Sequence, residues 1–318
     1  MISGIFSQEV DMAGPTLEPG TEIVVSASTS NLGPGFDALS VAVTVYLKVR
    51  VLEILPTQPD VLDMQFVGGP GPSGENRIAT GFRAAHARFG QPIPGLRIEV
   101  RSDIPMRAGL GSSAAATVAG MRLYEAATIP RAIGDLMEIA SAIEGHPDNA
   151  AAAMLGGITL SCQYEDGRIA TRAWRWPDDL RFIIGTPEAE LETAFARKVL
   201  PPQIPMRDAV FNLQRALLLV RALETGQYGD LREALRDRWH QPARQQFVPG
   251  LAEALALDDP SVLGVYLSGA GPSIAMLATD RHAEAASLLA GIYARLGVGC
   301  TIRTLSAHQP EVPVRIAL

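Results

Sequence analysis

A two-domain protein mixing helices and strands is what the sequence predicts, on three observations. Its 318 residues exceed the ~100–200 of one ordinary domain. Stretches rich in β-branched residues are interleaved, in both halves, with stretches whose apolar residues recur at helical spacing. Between the halves, Trp176-Pro177-Asp178-Asp179 sets a proline and two acids across the strand pattern. The expected division is a leader at 1–20, a first domain at 21–178 and a second at 179–318.

Bulk properties narrow the function classes. A chain 47% hydrophobic and 19% charged can bury a normal core, and a net charge of −7 with no basic cluster argues against a nucleic-acid partner. Cys162 and Cys300 have no metal spacing and read as buried thiols in a reducing compartment. Residues 1–20 carry Glu9, Asp11 and Glu18 without a basic start or long apolar segment, unlike a signal peptide. The longest uncharged run, Asn149 to Tyr164, is broken by Gly156-Gly157 and cannot span a membrane. A soluble, cytoplasmic protein without a membrane partner is expected.

Taken in order, Glu22–Ser28 reads as a strand and leads into Asn31-Leu32-Gly33-Pro34-Gly35-Phe36-Asp37, where two glycines around a proline force a turn that can bring Asn31 to Asp37. Leu39–Leu55 predicts one or two strands, Asn76–Phe89 a helix and Gly95–Arg101 a strand. Ala114–Ala127 is an alanine-rich helix. Ile133–Glu144 has its apolar residues at Ile133, Leu136, Met137, Ala140 and Ile143, which is helical spacing, with Glu138 off the centre of the stripe as a solvated carboxylate would be. Pro147 suits the first turn of a helix reaching Gly156, placing His146 at its start. Ile158–Tyr164 and Arg168–Trp174 make a hairpin about Asp166-Gly167.

The second half opens with a strand at Leu180–Thr186. Helices are expected at Thr193–Leu200, Ala209–Glu224 and Asp230–Arg238, with Gln241 to Arg244 marking the end of the last. The first holds Thr193 and Arg197 on one face. Val262–Leu267 and Ile274–Ala278 are strands joined through Ser268-Gly269-Ala270-Gly271-Pro272-Ser273, a turn suited to close backbone approach. A helix at Ala283–Leu296 and a strand at Thr301–Leu305 follow.

The most informative stretch is Pro105-Met106-Arg107-Ala108-Gly109-Leu110-Gly111-Ser112-Ser113-Ala114-Ala115, between a strand and a helix. Bare glycine N–H groups and the free donors of a first helical turn make a site for phosphate oxygens. Ser112 and Ser113 can cap the helix or offer hydroxyls to a phosphate or metal. No lysine follows the glycines, so a Walker A loop is excluded. Gly109 to Ala114 fits the dinucleotide pattern G-x-G-x-x-A, but no second strand lies downstream, against a Rossmann site.

Three glycine-rich motifs, Asn31 to Asp37, Pro105 to Ala115 and Leu267 to Pro272, resemble in this order the signature motifs of the GHMP small-molecule kinases. Within that superfamily the first motif, Gly145-His146-Pro147-Asp148-Asn149 and Ala196-Arg197-Lys198-Val199-Leu200-Pro201 are similar to those of the homoserine kinases, over about residues 21–305. The resemblance implies a two-domain α+β GHMP kinase fold, with an N-terminal domain like ribosomal protein S5 domain 2 and a ferredoxin-like C-terminal domain. It implies ATP on the loop Pro105 to Ala115, and Mg²⁺ held by Glu138, eight residues before His146, with Ser112 or Ser113. It places L-homoserine among Asn31, Asp37, His146, Asn149, Thr193, Arg197 and Arg244, with Asp37, Asn149 and Glu138 as the catalytic set, and leaves room for a homodimer.

The chemistry of these residue types agrees. Mg²⁺ on a nucleotide takes one or two protein oxygens beside phosphate and water. Asp37 can meet an ammonium while Arg197 and Arg244 clamp a carboxylate. Phosphoryl transfer asks mainly for positioning, so a strong base is not required, and the carboxylate of Asp37 is already needed for the ammonium. Arg107 stands where the family often has glycine, an extra cation that can either touch phosphate or point to water, and Ser26 stands where it often has proline. Another small alcohol as substrate, or a non-catalytic binding protein of this fold, are the competing readings.

Overall fold

Seventeen residues of one strand, Leu39–Leu55, form the spine of the N-terminal half. The computed structural model describes residues 17–59, 61–69, 71–72, 74–189, 191 and 193–309, so the expected leader lies outside it as far as residue 16. The spine, β2, follows β1 (Glu22–Ser30), which pairs antiparallel along one edge with a bulge between Ser26 and Ala27. Its other edge is shared: β5 (Ile158–Gln163) takes residues 39–41, and β4 (Gly95–Ser102) takes 47–55. Strands β3 (Leu62–Val67), parallel to β4, and β6 (Ile169–Trp174), antiparallel to β5, complete six strands. Burial explains the spine's composition, because Leu39 to Val43 are all buried and later residues alternate.

Helices α1 (Arg77–Phe89), α2 (Ser112–Ala127), α3 (Ile133–Glu144) and α4 (Asp148–Leu155) cover the sheet, with α2 and α4 against β1 and β2. Asn76 caps α1 by accepting from the N–H groups of Ile78 and Ala79, as its position at the predicted start suggests. Strand β3 has no counterpart among the sequence-based expectations. It is an edge strand of mixed polarity, only partly buried, and so carries little periodic signal.

In the C-terminal half, β7 (Arg181–Pro187), β8 (Gly264–Leu267), β9 (Ile274–Ala278) and β10 (Cys300–Leu305) form an antiparallel sheet in the order β10-β7-β9-β8. Helices connect β7 to β8 and, through α10 (His282–Leu296), β9 to β10; this is the ferredoxin-like arrangement the resemblance implies. Between β7 and β8 lie α5 (Thr193–Lys198), α6 (Met206–Thr225), α7 (Leu231–Ala234), α8 (His240–Arg244) and α9 (Leu251–Leu255). The helix expected at Asp230–Arg238 is therefore corrected to a single turn. The chain breaks after it because Asp237 turns inward, its carboxylate accepting from Asn212 Nδ2 and from the N–H groups of Trp239 and Gln241.

The two sheets meet at Trp176, whose indole is fully buried, donates to the Leu180 carbonyl at 2.9 Å and packs on Phe182. Its backbone exchanges two hydrogen bonds with the Gln309 side chain, and Ala307 pairs with Val43 of β2. The expected boundary is thus a bolted joint, and one hydrophobic cluster contains residues of both sheets. Both cysteines correct the expectation of buried thiols: Cys162 faces outward on β5 and Cys300 is half-buried at the start of the edge strand β10. Among the described residues no helix is long and apolar enough to cross a membrane.

Helices α1 and α2 cross where Gly81 and Gly120 leave room for backbone. A Cβ on Gly120 would stand 2.0 Å from the Ile78 carbonyl oxygen. Gly120→Ala should lower stability by about 1–3 kcal/mol despite its better helix propensity, read as a fall in the urea midpoint at constant slope.

Candidate functional site

The three glycine-rich motifs converge on one cleft of about 370 Å³. Strand β1 runs out into the first motif, where Asn31, Leu32 and Asp37 all take positive φ. The Asp37 N–H donates to Asn31 Oδ1 at 3.1 Å, so the turn closes these two residues together as expected. The third motif docks on this strand end through the Gly269 N–H to the Ser30 carbonyl and Asn31 Nδ2 to the Gly269 carbonyl. Ser268 Oγ donates to the Gly109 carbonyl at 2.7 Å, and the Ser273 N–H donates to the Ala108 carbonyl.

That packing fixes the central loop. A Cβ on Gly109 would stand 2.2 Å from the Ser268 carbonyl oxygen, and one on Gly111 2.2 Å from Ser28 Oγ. Gly111, at φ 67, is the residue before α2, and no side chain caps that helix. The expected serine cap is corrected: Ser112 and Ser113 are the first helical residues. The earliest bond of α2 joins the Ala115 N–H to the Gly111 carbonyl, so the N–H groups of Ser112, Ser113 and Ala114 have no acceptor within the helix and open on the cleft. Within the loop, Arg107, Ala108, Gly109, Gly111, Ser112, Ser113 and Ala114 line the cleft, whereas Leu110 and Ala115 are buried behind it.

The carboxylate beside those serines is not Glu138. Glu138 lies on the outer side of α3, 3.7 Å from Arg88, and does not line the cleft. Glu144 does. Its Oε1 accepts from Ser113 Oγ at 3.0 Å and from Thr117 Oγ1 at 2.7 Å, so two hydroxyls one turn apart on α2 hold it facing the loop. Helical geometry explains the correction, since Glu138 falls off the apolar stripe of α3 while the last residue before the Gly145 cap projects toward α2. The signal was present in the adjacency Glu144-Gly145-His146.

Opposite the loop stand the charged side chains. Arg197, from α5, donates to both oxygens of Asp37, at 2.7 and 3.0 Å. Arg244, on α8, is 2% exposed and donates to the Ala196 and Gly269 carbonyls and to His240 Nδ1. His240 Nε2 donates in turn to the Gly33 carbonyl, and burial holds its imidazole below its ordinary range and neutral. Burial, with the charge of Arg197, lowers Arg244 to about 10, still cationic at neutral pH. The ring of Phe36 lies 5.6 Å from the Arg197 guanidinium and 5.3 Å from that of Arg244. Thr193 begins α5, and its side chain lies outside the described residues.

His146 and Asn149 sit at the near end of α4, bridged by Asp148, which the sequence reading did not select. His146 Nδ1 donates to Asp148 Oδ1 at 2.5 Å, and the same oxygen accepts the Asn149 N–H at 2.8 Å. The Asn149 side chain is fixed by Ser28 Oγ and Ser30 Oγ. Burial alone would lower the His146 imidazole, but the hydrogen bond and charge of Asp148 outweigh it and raise it above 6.5. Burial would likewise raise Asp148, and the hydrogen bond and charge of His146 take it below 3.8 instead. Ligand atoms of Asp37, His146 and Asp148 lie within 4.8 Å of one another, yet a cation there would face the Arg197 guanidinium held on Asp37.

The arrangement therefore has an amide-lined pocket for anionic oxygens, a carboxylate with hydroxyl companions at its rim, and a polar recess bearing both signs of charge. Among known families, the model of the GHMP kinases N terminal domain matches residues 76–157 and that of the GHMP kinases C terminal matches 219–289. A homoserine kinase of Moorella thermoacetica is 36% identical over 287 residues, 89% of this chain and 95% of that protein. One of Thermus thermophilus is 38% identical over 281 residues, 86% of this chain and 92% of that protein. In structure, a homoserine kinase from Cytophaga hutchinsonii superposes with TM-score 0.79 at 24% identity, covering 96% and 98% of the two chains. A Methanococcus jannaschii mevalonate kinase gives 0.62 at 14%, covering 90% and 98%.

The His146 and Asp148 pair yields a pH prediction. A raised histidine contributes stability that is complete below 6.5 and lost as pH rises through its folded value. A lowered carboxylate contributes stability complete above 3.8 and lost as pH falls through its folded value. The pair should thus stabilise the fold most between those two values. In Asp148→Asn only burial, Arg197 and Asp37 remain to act on the imidazole, and the His146 ring proton followed by NMR should titrate below its wild-type midpoint.

Proposed function

The chain belongs to the homoserine kinases of the GHMP kinase superfamily, and from that premise we propose that its cleft transfers the γ-phosphoryl group of ATP to the side-chain hydroxyl of L-homoserine. The products are ADP, O-phospho-L-homoserine and the proton of the hydroxyl. One observation carries the reading: the amide-lined loop and the recess holding Asp37 and Arg197 open on the same cavity.

The N–H groups at the start of α2 and the bare backbone at Gly109 and Gly111 receive the phosphate tail, with the helix dipole behind them. Glu144 and Ser113 are hard oxygen donors suited to Mg²⁺, whose chemistry when bound is to draw charge from the phosphate oxygens. Homoserine is a zwitterion, and Asp37 and Arg197 present its two counter-charges. Its ammonium is assigned to Asp37 and Asn31, and its carboxylate to Arg197 with Arg244 behind it. The hydroxyl then lies toward Asn149, whose amide is fixed on Ser28 and Ser30. A loose transition state needs this alignment more than it needs a base.

The direct test is ADP release from ATP and Mg²⁺ with homoserine beside a panel of other small alcohols. Turnover with homoserine above the rest is expected. Preference for another alcohol would change the substrate, and silence with every alcohol would leave a binding protein. Glu144→Gln should cut turnover roughly 10–100-fold, most steeply at limiting Mg²⁺, while Glu138→Gln stays near wild type. Arg197→Ala should raise KM for homoserine about tenfold or more and leave KM for ATP within roughly threefold.

A further inference from the structure

Arg107 is an arginine in a backbone conformation that favours glycine. Its φ is 51°, in the left-handed region, where a Cβ crowds the following carbonyl. Among the described residues three other non-glycine residues share that region, Asn31, Leu32 and Asp37, all in the first motif of the same cleft. Nothing in the burial pattern calls for a long side chain there. The loop is anchored by its neighbours Ala108 and Leu110, which are buried, whereas Arg107 is exposed and lines the cleft beside Gly109, Gly111 and Ser112.

Charge gives the position a purpose. The loop contains no lysine, and helix amides supply only partial charges against a polyanionic tail. The other arginines lining the cleft, Arg77, Arg197 and Arg244, come from outside the loop. Arg107 alone among them stands within the loop, between the buried anchor at Ile104 and the first turn of α2.

We propose that Arg107 is a catalytic residue of the nucleotide side of the cleft, its guanidinium contacting the β- and γ-phosphate oxygens of ATP, and that the left-handed turn is retained because it delivers that group. The inference rests on the kinase reading above. It makes the loop a cradle of two parts, fixed amides from the backbone and one full positive charge from a side chain that glycine would have omitted.

The test compares Arg107→Gly, Arg107→Ala and Arg107→Lys in the full chain, with binding of the non-hydrolysable analogue AMPPNP and of AMP measured by calorimetry in Mg²⁺. Both neutral variants should bind AMPPNP about tenfold or more weakly while AMP affinity changes less than about twofold. Arg107→Lys should keep part of the AMPPNP affinity. Because glycine accepts positive φ and alanine does not, Arg107→Gly should melt above Arg107→Ala although both lose affinity alike. AMPPNP binding at wild-type strength in Arg107→Gly would overturn the proposal, as would a loss confined to Arg107→Ala, which would make the position a matter of backbone alone. A wild-type protein that releases no ADP with homoserine would sink the kinase reading instead, and the binding comparison does not depend on that assay.

Discussion

The approach of two glycine turns to within backbone contact is the constraint from which the cleft follows. The Gly109 carbonyl accepts the Ser268 hydroxyl, and any side chain at Gly109 would collide with the Ser268 carbonyl. This contact joins the loop before α2 in the N-terminal half to the β8–β9 turn of the C-terminal half. Thr29 extends it, its hydroxyl meeting both Tyr266 and Ser268 in a buried cluster. The halves are thereby locked together beside the cleft, next to the first turn of α2.

Around that lock the charged groups are arranged in mutually satisfied pairs. Asp37 faces Arg197, His146 faces Asp148, and Arg244 lies against the neutral ring of His240. The first pair joins elements distant in sequence, while the other two are local, at the start of α4 and along α8. Burying such charges singly would be prohibitive; paired and hydrogen-bonded, they hold a fixed geometry around the cleft. The ring of Phe36 lies within about 6 Å of both the Arg197 and the Arg244 guanidinium groups.

Backbone strain is concentrated in the same place. The non-glycine residues with positive φ among those described fall in the first motif and at Arg107, and three of the four, Asn31, Asp37 and Arg107, line the cleft. Elsewhere the left-handed region is left to glycine at helix ends and turns, as in any stable fold.

Much of this was legible in the sequence, because helices and strands are set by local periodicity and the three motifs by short-range turn chemistry. Asn76 at the head of α1, the alanine-rich α2, the hairpin at Asp166-Gly167 and the closing of Asn31 on Asp37 all follow from neighbours a few residues apart. What periodicity could not reach was direction. Glu138 and Glu144 belong to one helix and differ only in the face they occupy relative to α2, which the crossing of α3 on α2 decides. His240 gained its role through burial against Gly33, far away in the chain, and Asp148 through burial between its neighbours His146 and Asn149. The cysteines depart from expectation because strand sequence does not say which side of a sheet meets water. The chain by itself determined its elements, its motifs and its family; the tertiary structure decided which carboxylate faces the loop and which charges meet, since those depend on packing between segments whose local sequences carry no record of one another.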